Sequence, residues 1–151
     1  MQSDYKVLLL GRKAENLFSK YENRFAQHFY SPFRNGELKV TVSNNENLYY
    51  LAVQQTWRGC FYATKHYGKD KFADGLYDSL ISAVNEWKNY LVNGVLPFEH
   101  DMFYQMPLKK EHVRLPLFLE VEFYMRRIFE FNIMMTDVGN AVYCKLPSFI
   151  I

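Results

Sequence analysis

Glu37-Leu38-Lys39-Val40-Thr41-Val42-Ser43, then Asn44-Asn45-Glu46-Asn47, then Leu48-Tyr49-Tyr50-Leu51-Ala52-Val53-Gln54-Gln55: on this stretch the reading of the fold turns. Leu38, Val40 and Val42 alternate with Lys39, Thr41 and Ser43. A period of two is what a half-buried strand requires. The Asn-rich tetrad reads as a turn and residues 48–55 as the returning strand. A third strand is predicted over residues 60–67, closed by Gly68 and the charged loop Lys69-Asp70-Lys71. The three strands together make an antiparallel meander.

Helices are predicted on both sides of this meander. Over residues 12–29, Ala14, Leu17, Phe18, Tyr21, Phe25 and Phe29 recur at steps of three and four, an amphipathic helix. Ser31-Pro32 and Asn35-Gly36 then break the chain. Over residues 75–92, Tyr77, Leu80, Ile81, Val84, Trp87 and Leu91 form an apolar stripe, with Asp74 suited to the N-cap and Gly94 to the C-terminal stop. That stripe is expected to cover the inner side of the meander. In the last third Pro97, Pro107 and Pro116 exclude a long regular element. Residues 98–106, 117–123 and 140–146 read as strands, while residues 124–135 fit strand and helix equally. The expected fold class is α+β: an N-terminal helix, a three-stranded antiparallel meander covered by a helix, and a mostly β C-terminal part, in a single domain of residues 1–151. No repeat, low-complexity tract or linker divides it.

Composition bounds the function. Of the residues, 49% are hydrophobic and 18% aromatic, with 12 Tyr and 13 Phe, enough to build a ring-rich core. The net charge is only +2, but six basic face three acidic residues over 1–36, whereas three basic face five acidic over 76–113. The positive potential therefore lies toward the N-terminal half, an asymmetry that can steer an anionic partner. Two cysteines, Cys60 and Cys144, lie far apart with no C-x-x-C, so both read as reduced and buried and the compartment as intracellular: cytoplasmic, nuclear or host cytoplasm. Val7-Leu8-Leu9-Leu10 is too short for a signal peptide core. No apolar run nears the ~20 residues that span a bilayer, so no membrane partner is expected.

No catalytic set emerges. Phosphate-binding glycine loops and a nucleophile elbow are both missing. Glu37-Leu38-Lys39 has the spacing of some metal-dependent nucleases but lacks an upstream carboxylate on a neighbouring strand. Glu120 and Glu122 share a strand face and read as its wet side. His28, His66, His100 and His112 form no dyad, and Cys60 and His66 would stand about 20 Å apart along a strand. No catalytic residue, metal site or cofactor is assigned.

The surface with most to offer is the outer face of the meander. With Leu38, Val40, Val42, Leu51 and Val53 inward, that face carries Lys39, Tyr50 and Gln54. Tyr62 and His66 join them on the third strand, with Arg58 at its entry and Lys65, Lys69 and Lys71 near its end. Cations contact phosphate, amides and Arg read base edges, and rings stack on unpaired bases. The order strand–strand–strand–helix over residues 37–92, with Trp57-Arg58-Gly59, Phe72, Ala83 and Trp87, resembles the Apetala-type plant transcription-factor domain and the arm-binding domain of tyrosine integrases. The resemblance covers about a third of the chain and implies DNA contact by Arg58, Lys65 and their neighbours.

Two function classes follow. One is a small non-enzymatic accessory protein, of phage or other mobile-element type, that binds nucleic acid through this basic and aromatic sheet face. The other is a protein-binding module, such as an inhibitor of a host or defence protein or a subunit of a complex. Its anchors would be Met102, Phe103, Tyr104 and Met106, with the apolar terminus Phe149-Ile150-Ile151. That terminus reads as tucked into the core, with a docking tail or a dimer contact, hence a homo-oligomer, as the alternative.

Overall fold

The computed structural model describes residues 11–37, 46–96, 106–107, 130–137, 139–146 and 149–150. The described chain is mainly helical. It packs as two units, residues 1–51 and 52–151.

The first unit contains α1 (Arg12–Phe25), a π-helical turn (Ala26–Tyr30) and α2 (Ser31–Arg34). Ala26 and Ser31 both keep right-handed helical dihedrals, so the helix does not break at Ser31-Pro32 as its sequence suggested. Pro32 has no N–H to offer the His28 carbonyl, and the wider π turn just before it absorbs the missing bond. The stop comes at Gly36, with φ of 75°. There Gly36 N donates to Phe33 O at 3.1 Å and Glu37 N to Pro32 O at 2.9 Å. This pair of bonds is the Schellman closure, which needs a left-handed residue and so favours glycine. Phe18 is buried, edge-on to Tyr50 at 6.5 Å, and Tyr21 stacks on the same ring at 3.6 Å.

The helix α3 (Glu46–His66) overturns the meander. The second and third predicted strands, 48–55 and 60–67, fall almost wholly within one 21-residue helix. The first, 37–43, lies almost entirely outside the described residues. The cause is a coincidence of periods. Leu51 and Val53 satisfy strand alternation, but Tyr50, Val53, Gln54, Trp57, Cys60 and Thr64 are all buried at steps of three and four. Over 21 residues without a proline, the helical period buries more side chains than alternation can.

In the second unit α3 meets α4 (Leu76–Asn93), which starts after left-handed Gly75 and ends at left-handed Gly94. Asp74, predicted as its N-cap, is replaced in that position by Gly75, and no side chain caps the helix. Leu76, Leu80, Val84, Trp87, Tyr90 and Leu91 are buried, whereas Ile81, placed on the apolar face by its spacing, is exposed. The partner of this face is α3 rather than a sheet: Trp57 donates its indole N–H to the Val84 carbonyl at 3.0 Å. Phe61, one turn on, stacks on Trp57 at 5.0 Å.

The C-terminal part is not the broad β unit expected. Among the described residues it supplies one antiparallel hairpin, β2 (Glu130–Thr136) and β3 (Gly139–Leu146), in register Phe131 to Cys144 and Ile133 to Val142. Two-residue strands, β1 (Met106–Pro107) and β4 (Phe149–Ile150), extend it beyond β3, in the order β1-β4-β3-β2. The predicted strands over 98–106 and 117–123 lie outside the described residues, apart from Met106. The hairpin comes close to α3: a Cβ added at Gly59 would collide with the Phe131 ring. A side chain at position 59 would make the Phe131 ring shift, so the glycine marks where strand and helix approach.

Candidate interaction surface

The helix α3 disperses the residues expected to share a sheet face. Tyr50 is buried under Tyr21 and Phe18, and Gln54 is fully buried. Arg58 is half-buried. Trp57, which carries part of the DNA-binding resemblance, is 5% exposed and belongs to the helical core. Lys39 lies outside the described residues.

The remaining residues gather where α3 ends and the short 3-10 turn Lys69–Lys71 begins. Tyr62 and His66, one helical turn apart, stack at 3.9 Å, and His66 Nδ1 sits 3.1 Å from the Tyr62 carbonyl. Lys65 reaches over the Phe61 ring at 5.7 Å. Lys69 donates to both carboxylate oxygens of Asp78, at 2.9 and 2.8 Å. That hydrogen bond, with the attraction of the carboxylate, raises the Lys69 pKa above its ordinary value. Lys71 lies 3.4 Å from Asp70. Two of the three lysines thus face carboxylates, which lowers the local positive potential that a phosphate would feel.

The partner-binding residues predicted near the C-terminus divide differently. Met102, Phe103, Tyr104 and Ile151 lie outside the described residues. Met106 pairs with Ile150 and Pro107 with Phe149 in the sheet, so β1 and β4 are bound to each other through their backbones.

The hairpin presents what sequence reasoning missed. Among the described residues β2, a seven-residue strand, pairs with β3 alone, along one of its backbone edges. Phe131, Met134 and Met135 on that strand are 37%, 42% and 57% exposed. Met134 and Met135 point to opposite faces, as neighbours on a strand must, so the distal half of β2 is open on both sides. No charged residue interrupts Phe131 to Thr136. The signal was available in Phe131-Asn132-Ile133 followed by Asp137 and Gly139, a strand end with a turn, but the apolar run alone did not distinguish the two periods.

Chemistry is otherwise sparse. Cys60 and Cys144 are free and buried. Burial pushes the Cys60 thiol up to about 12, with Cys144 adding to the rise. It pushes Cys144 up to about 11, opposed by a hydrogen bond from Thr56. Among the described residues no three His, Cys, Asp or Glu side chains gather to hold a metal, and no helix is long and apolar enough to cross a membrane. No protein-family model matches the chain, and no curated protein or solved structure matches it.

Proposed function

We propose that this protein is a non-enzymatic protein-binding module that takes up an extended segment of another protein along the edge of β2 opposite β3. The observation that carries the reading is that edge: among the described residues β2 is paired on one side only, is uncharged from Phe131 to Thr136, and exposes Phe131, Met134 and Met135. Folded proteins usually blunt such an edge with a charge, a proline or a cover. Among the described residues no strand occupies the second row of N–H and C=O groups, which can accept a partner strand, and adaptable methionines can fill irregular apolar pockets on the partner. The two free thiols support an intracellular setting.

The test is co-purification from source cells, followed by hydrogen exchange on the isolated complex. Partner binding is expected to slow exchange at the amides of β2. Met135→Lys is expected to weaken binding at least about tenfold while leaving the fold intact. If β2 exchanges equally fast in the free and bound protein, strand addition is wrong. Concentration-dependent dimerisation that protects β2 would make the partner a second copy of the chain. Salt-sensitive binding of oligonucleotides, reduced by Lys65→Ala, would return the function to nucleic acid.

A further inference from the structure

Two paths of contact, one through Phe131 and one through Thr56, bring the two thiols to one place. Cys144 stands directly across from Phe131 in the hairpin, so the two side chains share a sheet face. The Phe131 ring lies on Gly59, the residue before Cys60. The Thr56 hydroxyl hydrogen-bonds the Cys144 sulfur, and Thr56 precedes Cys60 by one turn on the same face of α3. Cys144 therefore sits against the turn that ends in Cys60, and the two are 4% and 0% exposed.

We infer that Cys60 and Cys144 form an oxidisable dithiol that closes to a disulfide under a peroxide and locks the β2–β3 hairpin onto α3. The first thiolate attacks one peroxide oxygen, the O–O bond breaks, and a sulfenic acid and hydroxide form. The second sulfur attacks that sulfur, an S–S bond forms, and the S–O bond breaks. The two thiols lose two electrons, the peroxide gains them, and the two thiol protons leave in two waters. Thr56 favours the Cys144 thiolate by donating to it. Burial makes the reaction slow at neutral pH and confines it to a small oxidant, because the thiolate is the reactive form. The cross-link would close a long loop between residue 60 and residue 144, the case in which a disulfide most restricts the unfolded chain.

The experiment treats the folded protein with hydrogen peroxide at pH 8 and pH 9. Intact mass, peptide mapping and Tm are read afterwards. The expected product is a monomer that has lost two hydrogen atoms, with Cys60 linked to Cys144. It should form about tenfold faster at pH 9, because both thiols are still titrating upward. Its Tm should rise by roughly 5–15 °C and return on reduction. Cys60→Ser and Cys144→Ser should show neither the mass loss nor the Tm rise. Added oxygen without a cross-link, linkage between chains, or a cross-link that forms only in denaturant would each overturn the proposal.

Discussion

Trp57→Ala is expected to destabilise the protein by roughly 3–5 kcal/mol, the usual cost of emptying a buried tryptophan site. Trp57 is 5% exposed and bonds α3 to α4. Its removal takes away the buried ring, its stacking on Phe61 at 5.0 Å, and the bond to the Val84 carbonyl. At this chain length the loss corresponds to a fall in Tm of roughly 6–20 °C. Trp87, also buried, remains as the fluorescent reporter of unfolding. Trp57→Phe separates the contributions. It keeps a ring against Phe61 and loses the indole N–H, so it should cost roughly 1–2 kcal/mol. A Tm within two or three degrees (roughly 1 kcal/mol) of wild type for the alanine variant would show that α3 and α4 are not held through Trp57.

Alkaline pH should produce the second large effect. In the unfolded chain both thiols ionise near their ordinary value of 9.0, whereas in the fold burial raises Cys60 to about 12 and Cys144 to about 11. The folded state therefore holds protons that the unfolded state has released. Stability from these groups is present in full below pH 9 and is lost as pH climbs toward 11 and then 12. Each thiol costs up to about 1.4 kcal/mol per pH unit in that window. At pH 10 the loss should be on the order of 2 kcal/mol for the pair. The measurement is Tm against pH from 8 to 10.5 under reductant, for wild type and for Cys60→Ala/Cys144→Ala. Lysines and tyrosines titrate in both proteins, so their effect cancels in the comparison. The double variant should start less stable and decline less steeply. Parallel curves would mean that the thiols ionise alike in the folded and unfolded chains.

Some of this architecture could be read directly. The stripe from Ala14 to Phe29 and the stripe from Leu80 to Leu91 each repeat the helical period over several turns, so no other element competes for them. Both are helical in the structure. The strand over residues 140–146 is present as β3, marked by alternation after Gly139. The failure lies in residues 48–67. Leu51, Val53 and Trp57 fit strand alternation while Tyr50, Val53 and Trp57 fit the helical steps, Gly59 looks like a break, and the many rings and β-branched residues favour a strand. A local pattern of that kind is decided by what the other elements offer for burial. Here α4 and the hairpin together bury Trp57 and Cys60, and Gly59 serves as a point of close approach within the helix.

The candidate site was less legible than the fold. Arg58, Lys65, Lys69 and Lys71 stand out as basic residues in the chain, but only in three dimensions do Asp78 and Asp70 meet two of them. Nothing in Phe131-Asn132-Ile133-Met134-Met135 says whether the strand will be inside or at an edge. What the sequence determined by itself is the pair of amphipathic helices, the two widely separated cysteines, and the lack of phosphate-binding and nucleophile-elbow motifs. Each of these is a local property, set by residue type and spacing. Tertiary structure alone decided that residues 46–66 are helical, that Cys60 and Cys144 share one buried place, and that among the described residues β2 pairs with β3 alone. Those outcomes depend on which surfaces meet, and neighbours in space are not neighbours in the chain.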